Sequence, residues 1–482
     1  MASGADEIRS IVEQVLRSPD VAALLGGARP GGVSAGPAAD AGPGVFPDID
    51  AAVKAAAAAR LELCALPLDT RRRLIEAMRR AMLEANESLS REAVAETGLG
   101  NVPDKVAKNI LAATKTPGVE DVEPVAWSDE HGLTLMERAP WGVIGAITPV
   151  TNPVSTITSN AIGMIAARNS VVFNVHPGAK RVSCRLVALL NGAIASVGGP
   201  RDLLAAVVEP TIASAGELMH HPGVALLVVT GGPGVVKAAM ASGKKAICAG
   251  PGNPPCVVDE TADLAKAGRS IVEGAGFDHN VVCICEKEVL AVASIADRLK
   301  AEMSANGAVE LSGRQAEAVV KAALAEQGGP GRPGVPNKEL VGRSAQVIAR
   351  AAGVEVPAAT RILLLEVGRD HPLVWTEQLM PVLPLVRMPD AGAAIEFAVQ
   401  VEQGYRHTAM IHSHDIERLS RMAKLMDCSI FVKNGPCLAG LGQGGAGYAS
   451  FTVASPTGEG VTRARTFTRE RRCTLVDAFR II

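Results

Sequence analysis

Three short stretches of the chain carry side chains that could do chemistry together. Cys283 lies in one, residues 147–153 form a strand-to-loop passage that can present the amide of Asn152, and Glu377 follows downstream. This order indicates a thiol nucleophile, an oxyanion donor and a nucleotide clamp. Each stretch alone is a weak signal, because a cysteine between valine and isoleucine is more often a small core residue than a nucleophile. The prediction depends on their order and context.

Composition excludes several classes of partner. The 482 residues include 48 Lys and Arg against 50 Asp and Glu, a formal charge of -2, so no global field holds nucleic acid or an anionic membrane. Aromatic residues make up only 3% of the chain, which provides no platform for stacking bases. We therefore predict no nucleic-acid binding, and any bound anion must be held locally.

The N-terminus lacks the basic start and apolar run of a secretion signal, and no later apolar stretch is long enough to span a bilayer. The sequence therefore predicts a cytoplasmic protein with no membrane association.

The cysteines do not form a metal-binding pattern. The nine cysteines are dispersed and include no pair of Cys-x-x-Cys motifs, which predicts reduced thiols and no metal. Cys283 and Cys285 would share one face of a strand if that stretch is extended, but two thiols do not complete a tetrahedral site.

The N-terminal region predicts a tethered helix. Residues 5–18 place apolar side chains at spacings of three and four, and residues 26–44 are rich in Gly, Pro and Ala, a composition typical of a linker. Two interpretations stay open: the helix docks on the main body, or it is a docking peptide for another protein.

The remaining chain predicts an α/β fold. Helical patterns cover residues 48–66 and 69–96, and residues 125–139 indicate a hairpin. Strands then alternate with helices from residue 142 onwards, which predicts a doubly wound parallel sheet. A second strand-helix series begins near Lys245 and includes a predicted strand from Cys283 to Val289.

Five ordered motifs resemble those of the aldehyde dehydrogenase superfamily, and more closely its CoA-acylating branch found in bacterial microcompartments. The resemblance covers roughly residues 46–482. The motifs are Thr-Pro-Val-Thr-Asn-Pro at 148–153, His-Pro-Gly-Ala-Lys at 176–180, Ala-Gly-Pro-Gly-Asn-Pro-Pro at 249–255, residues 280–287, and Pro-Thr-Gly-Glu-Gly at 456–460.

The resemblance implies catalytic roles for Cys283 and Asn152. In the family the cysteine thiolate adds to an aldehyde, and the resulting oxyanion is held by an asparagine amide and the backbone N–H of the nucleophile. Loss of hydride to a nicotinamide then leaves a thioester on the cysteine. Without Cys283, we would interpret Asn152 as a turn residue ahead of Pro153.

The resemblance also implies a site for NAD. Glu377 matches the glutamate that accepts hydrogen bonds from the nicotinamide ribose, although a lone glutamate is more often a solvated surface charge. Asn174 lies near the position where many relatives have a ribose-binding lysine, so the choice between NAD and NADP stays open. The predicted cofactor-binding residues are Thr148, Pro149, His176, Pro177, Gly178, Thr230, Gly231, Gly232 and Glu377.

One of these cofactor segments can also be judged without the resemblance. Thr230, Gly231 and Gly232 follow an apolar strand, where glycines let the backbone approach a pyrophosphate. They lack the GxGxxG spacing, however, and also fit a simple strand-helix turn.

Two histidines and a second cysteine receive no catalytic role. We expect His176 and His407 not to be catalytic, and we expect Cys285 to be a packing residue.

One departure from the hydrolytic enzymes indicates the acyl acceptor. They carry a water-activating glutamate in a Glu-Leu-Gly-Gly-Lys pattern, whereas residues 248–253 here read Cys-Ala-Gly-Pro-Gly-Asn. A thioester without that base should resist water but react with a thiol. The predicted reaction is a short-chain aldehyde such as propanal or acetaldehyde, CoA and NAD giving acyl-CoA and NADH. The alternatives are a hydrolytic or phosphorolytic aldehyde dehydrogenase and a non-catalytic scaffold protein.

The predicted organisation follows from the same resemblance. It comprises a targeting helix and linker (1–45), a Rossmann-like cofactor domain (46–122 and 140–245), a catalytic α/β domain (246–445) and an oligomerisation arm (123–139 and 446–482). We expect a homodimer or homotetramer located inside a microcompartment, with the N-terminal helix binding shell or core proteins.

Overall fold

The computed structural model describes residues 42–482. The predicted helix at 5–18 and the linker up to residue 41 lie outside this range. The described residues form two compact units: the first contains residues 42–96, 108–249 and 448–482, and the second contains residues 97–107 and 250–447. No helix in the described range has the length and apolar run needed to cross a membrane.

The secondary structure alternates between strands and helices along most of the chain. The strands are β1 (Val45–Phe46), β2 (Val125–Asp129), β3 (Gly132–Pro140), β4 (Val143–Ile147), β5 (Ser170–Asn174), β6 (Leu204–Val207), β7 (Val224–Thr230), β8 (Ala246–Ala249), β9 (Pro255–Val258), β10 (Glu288–Val292), β11 (Ala308–Leu311), β12 (Leu324–Glu326), β13 (Val335–Pro336), β14 (Ile362–Val367), β15 (Val382–Met388), β16 (Thr408–His412), β17 (Ile430–Lys433), β18 (Val453–Ala454), β19 (Gly460–Val461) and β20 (Thr468–Val476). The α-helices are α1 (Ile49–Ala65), α2 (Leu68–Thr97), α3 (Val102–Lys115), α4 (Pro153–Ala166), α5 (Lys180–Ser196), α6 (Ile212–His220), α7 (Pro233–Ala241), α8 (Leu264–Gly276), α9 (Ala296–Ala305), α10 (Gly313–Ala323), α11 (Ala345–Ala351), α12 (Ala391–Val401) and α13 (Ile416–Met426).

The first unit is built on a six-stranded parallel sheet in the order β1-β6-β5-β4-β7-β8. Its central strands are buried on both faces, as expected for apolar runs covered by helices on each side. Ile144 and Phe173 pack with α2, α4 and α5, while Val143 and Val172 pack with α1, α6 and α7. This arrangement confirms the predicted doubly wound sheet.

The second unit contains a seven-stranded parallel sheet in the order β11-β14-β15-β10-β9-β16-β17. Val257 and Leu290 pack with α12 and α13 in one core cluster. Leu363 and Leu365 pack with α10 and α11 in another. The predicted second α/β layer is therefore present.

A three-stranded antiparallel sheet, β2-β3-β20, belongs to the first unit. The predicted hairpin turn lies between β2 and β3, and the hydroxyls of Thr134 and Thr474 are 3.0 Å apart across β3 and β20. Its exposed apolar side chains include Trp127 and Leu475. Its role as an oligomerisation arm stays a prediction.

The predicted strand from Cys283 to Val289 is wrong at its start. Residues 281–285 form turns and bends, and β10 begins only at Glu288. The cause lies just upstream, where Asp278, His279 and Asn280 all have positive φ angles of 46°, 55° and 65° and turn the chain sharply after α8. Because the stretch is not extended, Cys283 and Cys285 do not share a strand face.

Candidate active site

Cys283 lies in the loop between α8 and β10, which we call the nucleophile loop (residues 277–287). The Asn280 side chain braces this loop by donating from Nδ2 to the carbonyls of Ala275 (2.8 Å) and Glu286 (3.1 Å). The Lys287 ammonium donates to the Asn280 carbonyl at 3.1 Å and also to Asn280 Oδ1. The turn that presents Cys283 is therefore held by hydrogen bonds at both ends.

The electrostatic environment keeps Cys283 protonated at neutral pH. The residue retains some exposed surface, yet burial raises the pKa of its thiol to about 12, and the charge of Glu377 adds to this effect. The Lys287 ammonium acts in the opposite direction. Cys285 is fully buried and exerts a smaller raising effect on the pKa of Cys283, in keeping with its predicted packing role.

Glu377 is half-buried in the second unit and is not a freely solvated surface charge. One carboxylate oxygen accepts a hydrogen bond from the Gly252 backbone N–H at 3.2 Å. Burial raises the pKa of the carboxyl to about 7, and Lys287 opposes the shift. The group therefore changes charge near neutral pH.

Several buried ionisable groups near the nucleophile loop escaped the sequence analysis. Burial raises the pKa of Glu286 to about 7 and that of Glu288 well above its usual range. Lys287, between them, is completely buried. The signal was a Glu-Lys-Glu triplet flanked by apolar residues, because charges inside such a run mark a buried polar cluster.

His407 is also completely buried, and burial lowers the pKa of its imidazole to about 4. Its Nδ1 lies 2.9 Å from the Thr408 hydroxyl, and within residues 42–482 its Nε2 has no hydrogen-bond partner. The ring is therefore neutral at physiological pH.

Asn152, in the first unit, is the residue immediately before α4. Its position matches a helix cap, but the side chain makes no cap hydrogen bond. Instead Oδ1 accepts from Lys108 Nζ at 2.6 Å, and Nδ2 donates to the Thr151 hydroxyl at 3.1 Å. A simple turn role does not account for this arrangement. Lys108 comes from α3, a helix that the sequence analysis did not identify.

The remaining predicted cofactor residues of the first unit gather at one edge of its sheet. Thr148 and Pro149 follow β4, residues 176–178 follow β5, and residues 230–232 end β7 and precede α7. Since β5, β4 and β7 are adjacent parallel strands, these segments meet at the carboxyl edge, where ligands bind in open α/β sheets.

The details of this edge fit a dinucleotide. The Thr148 hydroxyl is buried and lacks a hydrogen-bond partner among the described residues, so it is available to a ligand. A Cβ on Gly231 would lie 2.7 Å from the side chain of Val235, so the tight approach to α7 requires glycine. His176 Nδ1 accepts from the Gly178 N–H at 3.0 Å, which shapes the turn after β5.

Asn174 occupies the end of β5. Its Oδ1 accepts from the Ser214 hydroxyl at 2.6 Å, at the start of α6. The amide oxygen is therefore engaged within the protein.

The stretch that replaces the water-activating glutamate contains no carboxylate. Burial raises the pKa of Cys248 to about 12, so this thiol is not a base near neutral pH. Asn253 is buried and donates to the carbonyls of Val374 and Val401 at 3.0 and 2.9 Å. Neither side chain can activate water in the way a glutamate does.

Comparison with known proteins identifies the class. Residues 44–455 match the aldehyde dehydrogenase family, and the chain belongs to it. It is 50% identical over 444 residues to the acetylating acetaldehyde dehydrogenase of Bilophila wadsworthia, covering 91% of each chain. It is 46% identical over 441 residues to the CoA-propanoylating propanal dehydrogenase of Citrobacter freundii, covering 91% of this chain and 94% of that one.

A solved structure agrees with these matches. The propionaldehyde dehydrogenase of Rhodopseudomonas palustris, with bound CoA and an acylated cysteine, superimposes with a TM-score of 0.88 at 48% identity, covering 91% of this chain and 99% of that one. The predicted resemblance to the CoA-acylating branch is confirmed.

Proposed function

We propose that this protein is a CoA-acylating aldehyde dehydrogenase, converting a short-chain aldehyde, CoA and an oxidised nicotinamide cofactor into acyl-CoA and the reduced cofactor. The observation that carries the proposal is the thiol of Cys283 in a braced loop, in a chain whose 248–253 stretch has no carboxylate to activate water. The acetylating and CoA-propanoylating activities of its relatives support acetaldehyde and propanal as substrates.

Cys283 is the proposed nucleophile. The Cys283 thiol first releases its proton to solvent, and the thiolate then adds to the aldehyde carbon, forming a C–S bond and converting the carbonyl oxygen into an oxyanion. The Asn152 amide and the Cys283 backbone N–H donate hydrogen bonds to this oxyanion. A nicotinamide cofactor bound beside Cys283 would supply the acceptor for the hydride lost from the former aldehyde carbon.

The resulting thioester on Cys283 has one favoured acceptor. The CoA thiolate attacks the acyl carbon, the bond to Cys283 breaks, and the cysteine leaves as a thiolate. Water competes poorly because residues 248–253 supply no base for it. A thiol needs less activation, since a fraction of it is ionised near neutral pH.

For the cofactor we propose two sets of residues. Glu377 would accept hydrogen bonds from the ribose of the nicotinamide. The segments at the carboxyl edge of the first sheet hold the rest of the dinucleotide: Thr148, Pro149, His176, Pro177, Gly178, Thr230, Gly231 and Gly232.

The reaction is tested with purified protein, propanal and NAD, following NADH absorbance with and without CoA and identifying the acyl product by mass. We expect CoA-dependent turnover that yields propionyl-CoA. Equal turnover without CoA, yielding free propionate, would overturn the acylating assignment. Absence of turnover with both NAD and NADP would favour a non-catalytic scaffold.

Residues 5–18 are the proposed docking segment for a microcompartment shell or core protein. A relative 44% identical to this chain comes from the fucose utilisation microcompartment of Clostridium phytofermentans, which supports this location. Deleting residues 1–41 preserves the 2.8 Å bond from the Ala206 N–H to the Gly44 carbonyl, so the truncated enzyme should stay active. We expect it to lose co-assembly with shell proteins, and unchanged packaging would contradict the proposal.

The sheet β2-β3-β20 is the proposed contact between subunits. Its exposed Trp127 and Leu475 support this role, because a packed partner would remove both side chains from water. Size-exclusion chromatography with light scattering should give a dimer or tetramer, and Trp127→Glu should shift it towards the monomer.

A further inference from the structure

Lys108 is a buried cation that contacts a proposed catalytic side chain. Its relative exposure is 1%, and its Nζ lies 2.6 Å from Asn152 Oδ1 and 3.5 Å from the Thr151 carbonyl. Withdrawing an ammonium group from water is unfavourable unless its donors are engaged. The position of this lysine therefore requires an explanation.

The contact determines how the Asn152 amide is oriented. Oxygen and nitrogen of an amide are nearly isosteric, so the hydrogen-bond network decides which atom points where. An ammonium has donors and no acceptor, so the atom facing Lys108 must be Oδ1. Nδ2 is thereby turned to the opposite side.

The opposite side of the amide retains an available donor. Nδ2 makes one hydrogen bond within the described residues, to the Thr151 hydroxyl at 3.1 Å, and α4 does not use the side chain as a cap. Because an amide nitrogen carries two N–H groups, one is left for a ligand.

We propose that Lys108 is a positioning residue, which orients the Asn152 amide so that its free N–H faces the oxyanion. This inference rests on the proposed role of Asn152. A flipped amide would present a carbonyl oxygen to a negative charge and would repel it. The nearby ammonium also polarises the amide, which strengthens its N–H as a donor.

The fold of α3 has a second anchor that does not involve Lys108. Asn109 accepts from the Ser155 hydroxyl at 2.9 Å and donates to Asn86 and Ser90, both at 3.1 Å. Substituting Lys108 should therefore leave the helix in place, so that a change in activity reports on the amide.

The test is a double-mutant cycle in the full-length enzyme with Lys108→Met, Asn152→Ala and the double variant. For propanal, NAD and CoA, we expect Asn152→Ala to lower kcat by about 100- to 1000-fold, the cost of losing one oxyanion-hole donor, and Lys108→Met to lower it by about 10- to 100-fold because the amide remains, each with a smaller change in KM. The double variant should be no slower than Asn152→Ala alone, because the lysine acts through the amide. Lys108→Arg, which keeps charge and donors, should recover part of the loss.

Three controls separate this role from a structural one. Lys115→Met, an exposed lysine on the same helix, should have wild-type kcat. The rate of Cys283 alkylation should be unchanged in Lys108→Met, and its melting temperature should fall by no more than that of Asn152→Ala, because both variants lose the same bond between Nζ and Oδ1. If that variant does not fold, Lys108→Gln, which keeps a donor without charge, is used in the same cycle.

The outcomes distinguish the inference from the proposed function. Normal kcat in Asn152→Ala would remove the oxyanion role of Asn152, and with it the basis for Lys108. A slow Asn152→Ala combined with a normal Lys108→Met, or with losses that multiply in the double variant, would overturn the role of Lys108 alone.

Discussion

The two units each contain a buried lysine bonded to an asparagine amide oxygen, and the two pairs differ in what the amide nitrogen does. Lys287 contacts Asn280 in the second unit, and the Asn280 Nδ2 donates to two backbone carbonyls. Lys108 contacts Asn152 in the first unit, and the Asn152 Nδ2 donates only to the Thr151 hydroxyl within the described residues.

On the roles proposed above, this difference separates a structural pair from a functional one. With both N–H groups bonded to the backbone, the Asn280 amide closes the nucleophile loop and has no donor left for a ligand. The Asn152 amide has the same orienting partner but keeps a free N–H. The same two residue types thus stabilise a loop in one unit and, in the proposed mechanism, orient a donor for the oxyanion in the other.

The largest effect should come from the thiol that the loop presents. Cys283→Ala removes the nucleophile, so we expect kcat to fall by more than about 1000-fold, as when other covalent nucleophiles are deleted. Cys285→Ala, two residues away and fully buried, should keep most of the activity. Product formation measured by mass spectrometry checks both, and an active Cys283→Ala enzyme would refute the mechanism.

Removing Lys287 should lower the stability of the protein more than removing Lys108. Lys287→Met leaves the Asn280 carbonyl and Oδ1 buried without their donor, so we expect a loss of about 2–4 kcal/mol in unfolding free energy. Urea denaturation measures it, with Lys108→Met as the matched variant. Equal destabilisation by Lys287→Met and Lys108→Met would contradict the assignment of a structural role to one pair and a functional role to the other.

The charges around Cys283 predict a pH dependence for its reactivity without cofactor. Since burial and then Glu377 raise the pKa of the thiol to about 12, the rate of iodoacetamide labelling should rise throughout pH 6–9. Lys287 opposes the shift, and Cys285 adds a smaller raising effect.

Glu377→Gln removes one of these charges. Labelling at pH 8.5 should then be several-fold faster, because loss of the carboxylate lowers the pKa of the thiol and increases the thiolate fraction. Because the pKa of Glu377 is about 7, the carboxyl is neutral below that pH, and the two enzymes should converge near pH 5.5. Equal rates at pH 8.5 would show that the carboxylate does not act on the thiol.

The smallest effect should come from the hydroxyl beside Asn152. Thr151→Val keeps the shape of the side chain but removes the acceptor of Nδ2, a single neutral hydrogen bond. We expect kcat to fall by roughly threefold to tenfold, equivalent to about 1 kcal/mol. Steady-state kinetics measures this, and a loss as large as that of Lys108→Met would mean that the hydroxyl, not the lysine, orients the amide.

Much of the architecture was predictable from local patterns. Short apolar runs predicted the buried strands, and segments with helical periodicity predicted the helices between them. Their alternation predicted the doubly wound sheet, because each pattern indicates which face of an element is buried. The five ordered motifs, among them those that contain Asn152 and Cys283, predicted the family. The strand assigned to Cys283 failed, since three consecutive left-handed residues leave no trace in hydrophobic periodicity.

The amino-acid sequence was therefore sufficient for the fold class and the family, since both depend on contiguous residues, and the catalytic role of Cys283 stays a prediction. The orientation of the Asn152 amide was decided only by the fold, because Lys108 lies 44 positions away and on an unpredicted helix. The charge on a buried group likewise depends on neighbours brought together by packing. Burial and Glu377, which is distant in sequence, set the pKa of Cys283, and no local pattern encodes such an environment.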